Sequence, residues 1–397
     1  MIYLDNSSTT PIDPEVLDAM LPYLKEEYGN PSSRHYTLAV NAEKAVEKAR
    51  EQVASLINAD PREIIFTSGA SESNNFIIKG VADYQKYYEE KGNHIITSTV
   101  EHKSIIQTCK FLNGDGFWNK PDVASSSRLL KKKTNIKKID RGYEVTFLPV
   151  NEYAQVSNDA FKDSIKENTI LASFIWGNNE IGSLNDIKTL GTIAKEHDIL
   201  FHSDATQVLG KIDIDVKNLP VDFLSFSAHK IYGPKGIGAA FIRQSALADY
   251  KITSLIHGGQ QENGYRAGTS PVHNIVGFGK ACEIAKRDMS EYIQKITKLE
   301  IEAKKVLLEK YPGIQFLGDP DNHIPGVIGM LIPNIVNEMF IKNLADKVAI
   351  SAGSACGIGE PSYVIKEATQ NSTNNNFIRV AISKFNYIND LNMFNNI

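Results

Sequence analysis

Short apolar runs alternate with amphipathic stretches through the larger, N-terminal part of the chain, and the alternation predicts strands and helices in turn. The runs are Ile64-Ile65-Phe66-Thr67 and residues 94–98, 143–150, 170–176, 199–202, 222–226 and 238–242. Asp13-Pro14 reads as a helix cap with proline at the first helical position, and Val16, Met20, Leu21 and Leu24 give that helix an apolar face. A second amphipathic helix is predicted over 39–57, supported by charged pairs four residues apart. Further helices are predicted after Asn75 and Lys103 and near 159–166 and 186–197. Apolar strands alternating with helices argue for an α/β fold with a mostly parallel, doubly wound sheet. Beyond about Gly259 the rhythm changes. A helical pattern over 274–311, with room for a break, is followed by apolar runs at 314–317, 327–332, 348–350 and 378–382. That predicts a smaller α+β domain, with the long helical region as the link.

A chain of 397 residues is long enough for two such domains. It contains no apolar run of membrane-spanning length, and Met1-Ile2-Tyr3-Leu4-Asp5 lacks the basic-then-apolar signature of a secretory leader, so a cytoplasmic protein that does not enter membranes is expected. Cys109, Cys282 and Cys356 are widely spaced and form no CxxC pair, which fits a reducing compartment and makes a reactive cysteine more plausible than a disulfide framework. Charge is unevenly spread. Residues 118–142 hold Lys120, Arg128, Lys131, Lys132, Lys133, Lys137, Lys138 and Arg141 against Asp122 and Asp140, in a chain whose net charge is -4.

In an open parallel sheet, ligands bind beyond the carboxyl ends of the strands. The run ending at Phe226 delivers Ser227, His229 and Lys230 to that edge, ahead of the turn Gly233-Pro234-Lys235-Gly236. Ile64-Ile65-Phe66-Thr67 leads into Ser68-Gly69-Ala70-Ser71 and a helix start, the arrangement of an anion site with free backbone N–H groups. No Walker lysine follows it. Other strand ends offer His102, Asn179, Asp204 and Gln207. Alone, Asp204 could be a helix cap and His102 a surface histidine. Together they form an inventory for pyridoxal 5'-phosphate (PLP): an amine for a Schiff base, a carboxylate for the ring nitrogen, an imidazole to stack on the ring, and hydroxyls and N–H groups for the phosphate.

The chain resembles the cysteine desulfurases of the NifS/IscS group, class V aminotransferases with the fold-type I architecture of PLP enzymes. The matching segments span nearly the whole chain: Tyr3-Leu4-Asp5 with Ser8-Thr9-Thr10-Pro11, Gly29-Asn30-Pro31, Phe66 to Ser73, Glu101-His102-Lys103, Asn178 to Gly182, Asp204-Ala205-Thr206-Gln207, Ser225 to Gly236, Arg266-Ala267-Gly268-Thr269 and Ser354-Ala355-Cys356. The resemblance implies that Lys230 carries the cofactor and moves protons, that His102 stacks on its ring and serves as a catalytic acid or base, that Asp204 pairs with the ring nitrogen and that Gln207 bonds the phenolate oxygen. It places Asn179 near that oxygen and the substrate carboxylate. It assigns the phosphate to Ala70, Ser71, Ser227 and His229, with Thr269 serving the other subunit of a homodimer. Arg379, helped by Asn30, would hold the carboxylate of L-cysteine, and Cys356 would take the sulfur as a persulfide for an acceptor protein.

The implied division is a large PLP-binding domain over 14–257, with the basic stretch 118–142 as an insertion, and a smaller domain over 1–13 and 258–397 carrying the cysteine loop. Cys109 and Cys282, in helical patterns, are expected to be structural. Three departures stand out. Only Gly357-Ile358-Gly359 separates Cys356 from Glu360-Pro361, a short tether for this family. Glu262-Asn263-Gly264 replaces the usual Glu-Arg-Gly, and little chain follows Lys384-Phe385. The basic stretch is either a solvated insertion or a docking face for an acidic acceptor, protein or nucleic acid. A selenocysteine lyase, another class V enzyme and an inactive sulfur-transfer partner stay open as rivals. Iron–sulfur assembly, tRNA thiolation and DNA sulfur modification stay open as destinations for the sulfur.

Overall fold

The computed structural model describes residues 1–33, 35–115, 139–248, 251–353, 362–370 and 375–391. Cys356 and most of the basic stretch, including Lys131, Lys132 and Lys133, lie outside the described residues. At the centre is a seven-stranded sheet in the order Ile64–Thr67, Gly238–Ile242, Phe223–Ser227, Leu200–Asp204, Thr169–Ile175, His94–Ser98, Glu144–Leu148. Neighbours pair in parallel except at Gly238–Ile242, which runs antiparallel to both strands beside it. Thr169–Ile175 and Phe223–Ser227 are buried along their whole length, as strands covered on both faces must be. This is the α/β architecture of a fold-type I PLP transferase.

Helix Pro14–Lys25 begins where its sequence says. The Asp13 side chain accepts from the Glu15 amide, and proline takes the first helical position. The region read as a helix with room for a break is one helix, Val272–Lys310, roughly 58 Å long from its 39 residues. Its first part, Val272 to Ala285, packs into the core around the large sheet. Its later residues Ile296, Leu299, Ala303 and Leu307 belong to a second core with Ile328, Met330, Ile378 and Val380. A three-stranded antiparallel sheet, Phe377–Ala381, Val327–Leu331 and Gln315–Leu317, forms part of that second core. The N-terminus joins it. Ile2–Tyr3 pairs in parallel with Val348–Ala349, and Asp5 bridges Ala381.

Part of the large core is polar. His202 lies between the Ser173 hydroxyl (2.8 Å) and the Ser225 hydroxyl (3.0 Å), on the two strands beside its own. Burial holds its imidazole down at about 4, against the opposing pull of Asp204, so it is neutral in the fold. The unfolded chain protonates this histidine in the ordinary range and binds more protons between those two values. Stability is therefore lost as pH falls through that window and is unaffected above it. From pH 6.5 to 5 the native chain should lose on the order of 2 kcal/mol relative to His202→Asn, read as the divergence of their denaturant midpoints. Parallel curves for the two proteins would show that His202 carries no such cost.

Candidate active site

The carboxyl ends of the parallel strands open onto one cleft of about 520 Å³. Lys230 enters it from the short turn Ala228–Lys230, directly after strand Phe223–Ser227. Its ammonium donates to the carbonyls of Ser7 and Ser8, each at 2.6 Å. The N-terminal segment is stapled to the same turn, since the Thr10 amide and hydroxyl both donate to the His229 carbonyl (2.9 and 3.0 Å). The amine is thus fixed by chain more than two hundred residues away in sequence.

Asp204 ends strand Leu200–Asp204 and is 4% exposed. One carboxylate oxygen accepts from the Thr206 amide (3.0 Å) and the other from the Asn74 side chain (2.8 Å), which orients it at the cleft wall. Asn74 also donates to the Ser104 hydroxyl (2.9 Å), and Ser104 in turn sits 2.7 Å from Nδ1 of His102. Because the Ser104 amide donates to that same Nδ1 (3.2 Å), the proton of the neutral ring belongs on Nε2. Burial lowers the His102 pKa, Lys230 and Lys103 lower it further, and Asp204 opposes them.

The anion turn is formed as the sequence suggests, but its helix starts earlier than the apolar pattern, at Ala70. Gly69 precedes it at φ 149°, a conformation that side chains disfavour, and no side chain caps the helix. First-turn N–H groups are left facing the cleft beside Ser71 and Ser227. His229 lines the same end with its Nδ1 3.1 Å from the Thr9 hydroxyl. Burial and the charges of Lys230 and Lys235 push its pKa down to about 4, so at neutral pH it offers a neutral ring to an anion. The nearest carboxylate, Glu72, is committed elsewhere, at 2.9 Å from Arg266.

On the side of the second core, Arg379 is 1% exposed and lines the cleft. Its Nη2 donates to Asp5 (2.6 Å) and Ser8 (2.8 Å) and its Nη1 to the Asn179 carbonyl (2.8 Å). Nε has no partner among the described residues. A bidentate grip on a ligand carboxylate would therefore use donors that Asp5 or Ser8 now occupies.

Ala70, Ser71, His102, Asn179, Asp204, Gln207, Ser227, His229, Lys230 and Arg379 all line this one cleft. Asn30 and Thr269 do not. Both are exposed, and the Asn30 side chain accepts from the Ser32 amide (3.0 Å) instead. Cys109 and Cys282 are buried, and burial pushes both thiols up, which keeps them protonated and unreactive. Reading the residues assigned no role to Ser7, Asn74, Glu101 or Lys211. Glu101 lies under His102, fully buried against the Ser98 hydroxyl (2.5 Å), and burial raises its carboxyl well above the usual range. Lys211 donates to Gln207 (3.4 Å), and burial, then Lys230 and Arg379, bring its amine down to about 7.

The donor set fits PLP. A reactive amine and a buried, oriented carboxylate face one cleft, an imidazole stands beside them, and at the far end an uncapped helix start meets two hydroxyls and a neutral histidine. Among the described residues no group of three or more His, Cys, Asp or Glu could hold a metal ion, and no helix is long and apolar enough to cross a membrane.

Comparison with known proteins points the same way. Residues 2–117 and 133–394 match the family model "Aminotransferase class-V". The mitosomal cysteine desulfurase of Encephalitozoon cuniculi is 42% identical over 398 residues, covering 100% of this chain and 85% of that protein. A solved NifS-like protein superposes with a TM-score of 0.85 at 31% identity, covering 99% of this chain and 96% of that one. A second solved protein, SspA in complex with cysteine, superposes with a TM-score of 0.79 at 32% identity, covering 98% and 100%.

Proposed function

The chain belongs to the class V aminotransferase family, as a cysteine desulfurase of the NifS/IscS group with the fold-type I architecture of PLP enzymes, and from that premise we propose that it removes sulfur from L-cysteine, releases L-alanine and leaves a persulfide on Cys356. The observation that carries this reading is the convergence of Lys230, Asp204, His102 and Arg379 on one cleft. The presence of cysteine in the SspA complex makes that amino acid the natural substrate to assign here.

PLP, when bound, supplies an electron sink that loosens the bonds at the α and β carbons of an amino acid. Ala70, Ser71, Ser227 and His229 would hold its phosphate, Asp204 would keep a proton on its ring nitrogen, His102 would pack on its ring and Gln207 would meet its phenolate oxygen. Lys230 Nζ would take the Cα proton and deliver protons back to carbon. Arg379 and Asn179 would fix the substrate carboxylate. The Cys356 thiolate attacks the substrate sulfur. An S–S bond forms, the C–S bond breaks, its electron pair goes to carbon, and a proton completes the alanine methyl group. Sulfur is oxidised to the persulfide level as carbon is reduced, so no outside redox partner is needed. The persulfide then passes to an acceptor protein, and Thr269 serves the cleft of the other subunit in a homodimer.

Incubation with PLP and L-cysteine, followed by amino-acid analysis and mass spectrometry of the Cys356 peptide, tests the proposal. Alanine should appear, with that peptide heavier by one sulfur. A keto acid without persulfide would indicate an aminotransferase-like enzyme, and no product at all an inactive sulfur-transfer partner.

A further inference from the structure

The described residues on either side of Cys356 are Ser351 to Gly353 and Ser362 to Tyr363; Ser362 bonds a buried carboxylate, and Gly353 lies close beside it. Glu180 follows Asn179 in the loop after strand Thr169–Ile175 and is 1% exposed. Its Oε2 accepts from the Ser362 hydroxyl at 2.5 Å. The same oxygen would lie 3.3 Å from a Cβ placed on Gly353, whose φ of +138° already disfavours any side chain.

Each of these residues is also tied to the cleft. Ser351 binds the Gly353 amide and carbonyl through its hydroxyl (3.2 and 2.5 Å) and exchanges two backbone hydrogen bonds with Arg379 (3.2 and 2.6 Å). Arg379 donates to the Asn179 carbonyl, one residue before Glu180. Ser362 also caps helix Tyr363–Thr369, and the Tyr363 hydroxyl donates to the Glu101 carbonyl (2.6 Å), one residue before His102. Helix capping explains why a serine stands at 362. It does not explain a buried acid across from it. A buried carboxylate is costly unless it is well bonded, and hydroxyl-to-carboxylate bonds are among the stronger ones.

We propose that Glu180 is a positioning residue for sulfur transfer: its carboxylate holds the Ser362 flank of the Cys356 segment against the loop that carries Asn179, close beside Gly353 on the other flank, which sets the reach of the thiol relative to substrate bound at Arg379. The inference rests on Cys356 being the sulfur acceptor. It requires nothing of Glu180 in cofactor or substrate binding, and that separates it from a role in the cleft.

The test uses the PLP-loaded enzyme in a single turnover with L-cysteine, following the visible band of the cofactor and the persulfide on the Cys356 peptide separately. Glu180→Ala and Ser362→Ala should each leave the cysteine concentration that half-saturates the spectral change within about twofold of native, while persulfide formation slows about tenfold to a hundredfold, as expected for a misplaced nucleophile. Glu180→Gln, which can still accept from Ser362, should recover most of the rate. If Glu180→Ala does not fold, Ser362→Ala decides, because it removes one hydroxyl and leaves the buried acid in place. Persulfide formation at the native rate in Ser362→Ala overturns the proposal. So does a spectral response to cysteine that weakens in parallel with persulfide formation, since that is general loss of structure. Absence of persulfide from the native enzyme instead overturns the assignment of Cys356 and takes this inference with it.

Discussion

Lys230→Ala should reduce turnover of L-cysteine by at least about a thousandfold and abolish the visible band of covalently held PLP, while the fold persists. The side chain lines the cleft with Asp204 and the anion turn, and its position is imposed by the carbonyls of Ser7 and Ser8 at 2.6 Å. In the proposed mechanism, removing it takes away the attachment point for the cofactor and the proton carrier at Cα together. The lowered amine of Lys211 cannot replace it. That residue does not line the cleft, and its side chain is engaged with Gln207. Far-ultraviolet circular dichroism and the denaturant midpoint should change little, because the methylene stem is a small part of the core. A small exogenous amine should restore part of the activity, with a dependence on amine pKa that reports proton transfer. A variant that keeps the band, or turns over within tenfold of native, would mean that Lys230 is not the attachment site.

The lysine was legible because everything that announces it is local: an apolar strand, its carboxyl end and a Gly/Pro turn. The same holds for Asp204, which ends its strand, and for His102 and the anion turn, which follow theirs within a few residues. What holds them in place was not legible as function. Ser7 and Ser8 act through backbone carbonyls across a sequence separation of 223 and 222 residues, and a carbonyl carries no sequence signature. Asn74 and Glu101 are polar residues at buried positions, which is the only local sign of their role; Asn74 orients Asp204, and Glu101 is buried against Ser98 with its carboxyl pKa raised by burial. Arg379 was read as a free clamp for a carboxylate. The structure gives it partners already, Asp5 and Ser8, brought to it by the pairing of the N-terminus with the second core.

Fold class followed from the rhythm of apolar runs, and the misreadings sit where one signal hides another. The helix at Ala70 was placed too late because its first turn is small and polar, which serves anion binding rather than packing. The long helix Val272–Lys310 left room for a break because its buried face ends at Ala285 and resumes at Ile296 against a different core. Between these, Arg287 bonds Glu15 and Asp288, and Tyr292 bonds Asp288, so the intervening turns are held by polar contacts with no apolar stripe to reveal them. Gly238–Ile242 is antiparallel because only the turn at Ala228–Lys230 and a few residues after it separate this strand from its neighbour, too little chain for a crossover helix. That tight return brings Gly236 to the cleft that the anion turn also lines.

Cys356→Ser should keep the visible cofactor band and its response to L-cysteine, yet form no persulfide, and alanine release should fall by at least about a hundredfold. Serine preserves size and hydrogen bonding but replaces a thiol, whose thiolate is accessible near neutral pH, with a hydroxyl that is not ionised there. The sulfur of bound cysteine then has no nucleophile to accept it. Loss on this side of the mechanism differs from loss of Lys230 in what survives: binding and proton abstraction at Cα remain in the first case and disappear in the second. The other thiols give the experiment its internal control. Cys109 and Cys282 are buried, and burial holds them protonated, so neither can take over as acceptor. Alkylation at near-neutral pH should therefore label Cys356 first in the native enzyme and leave the serine variant almost unlabelled until it unfolds. Alanine released by Cys356→Ser at the native rate would mean that the C–S bond breaks without Cys356. Persulfide found instead on Cys109 or Cys282 would mean that one of the buried thiols becomes exposed during turnover.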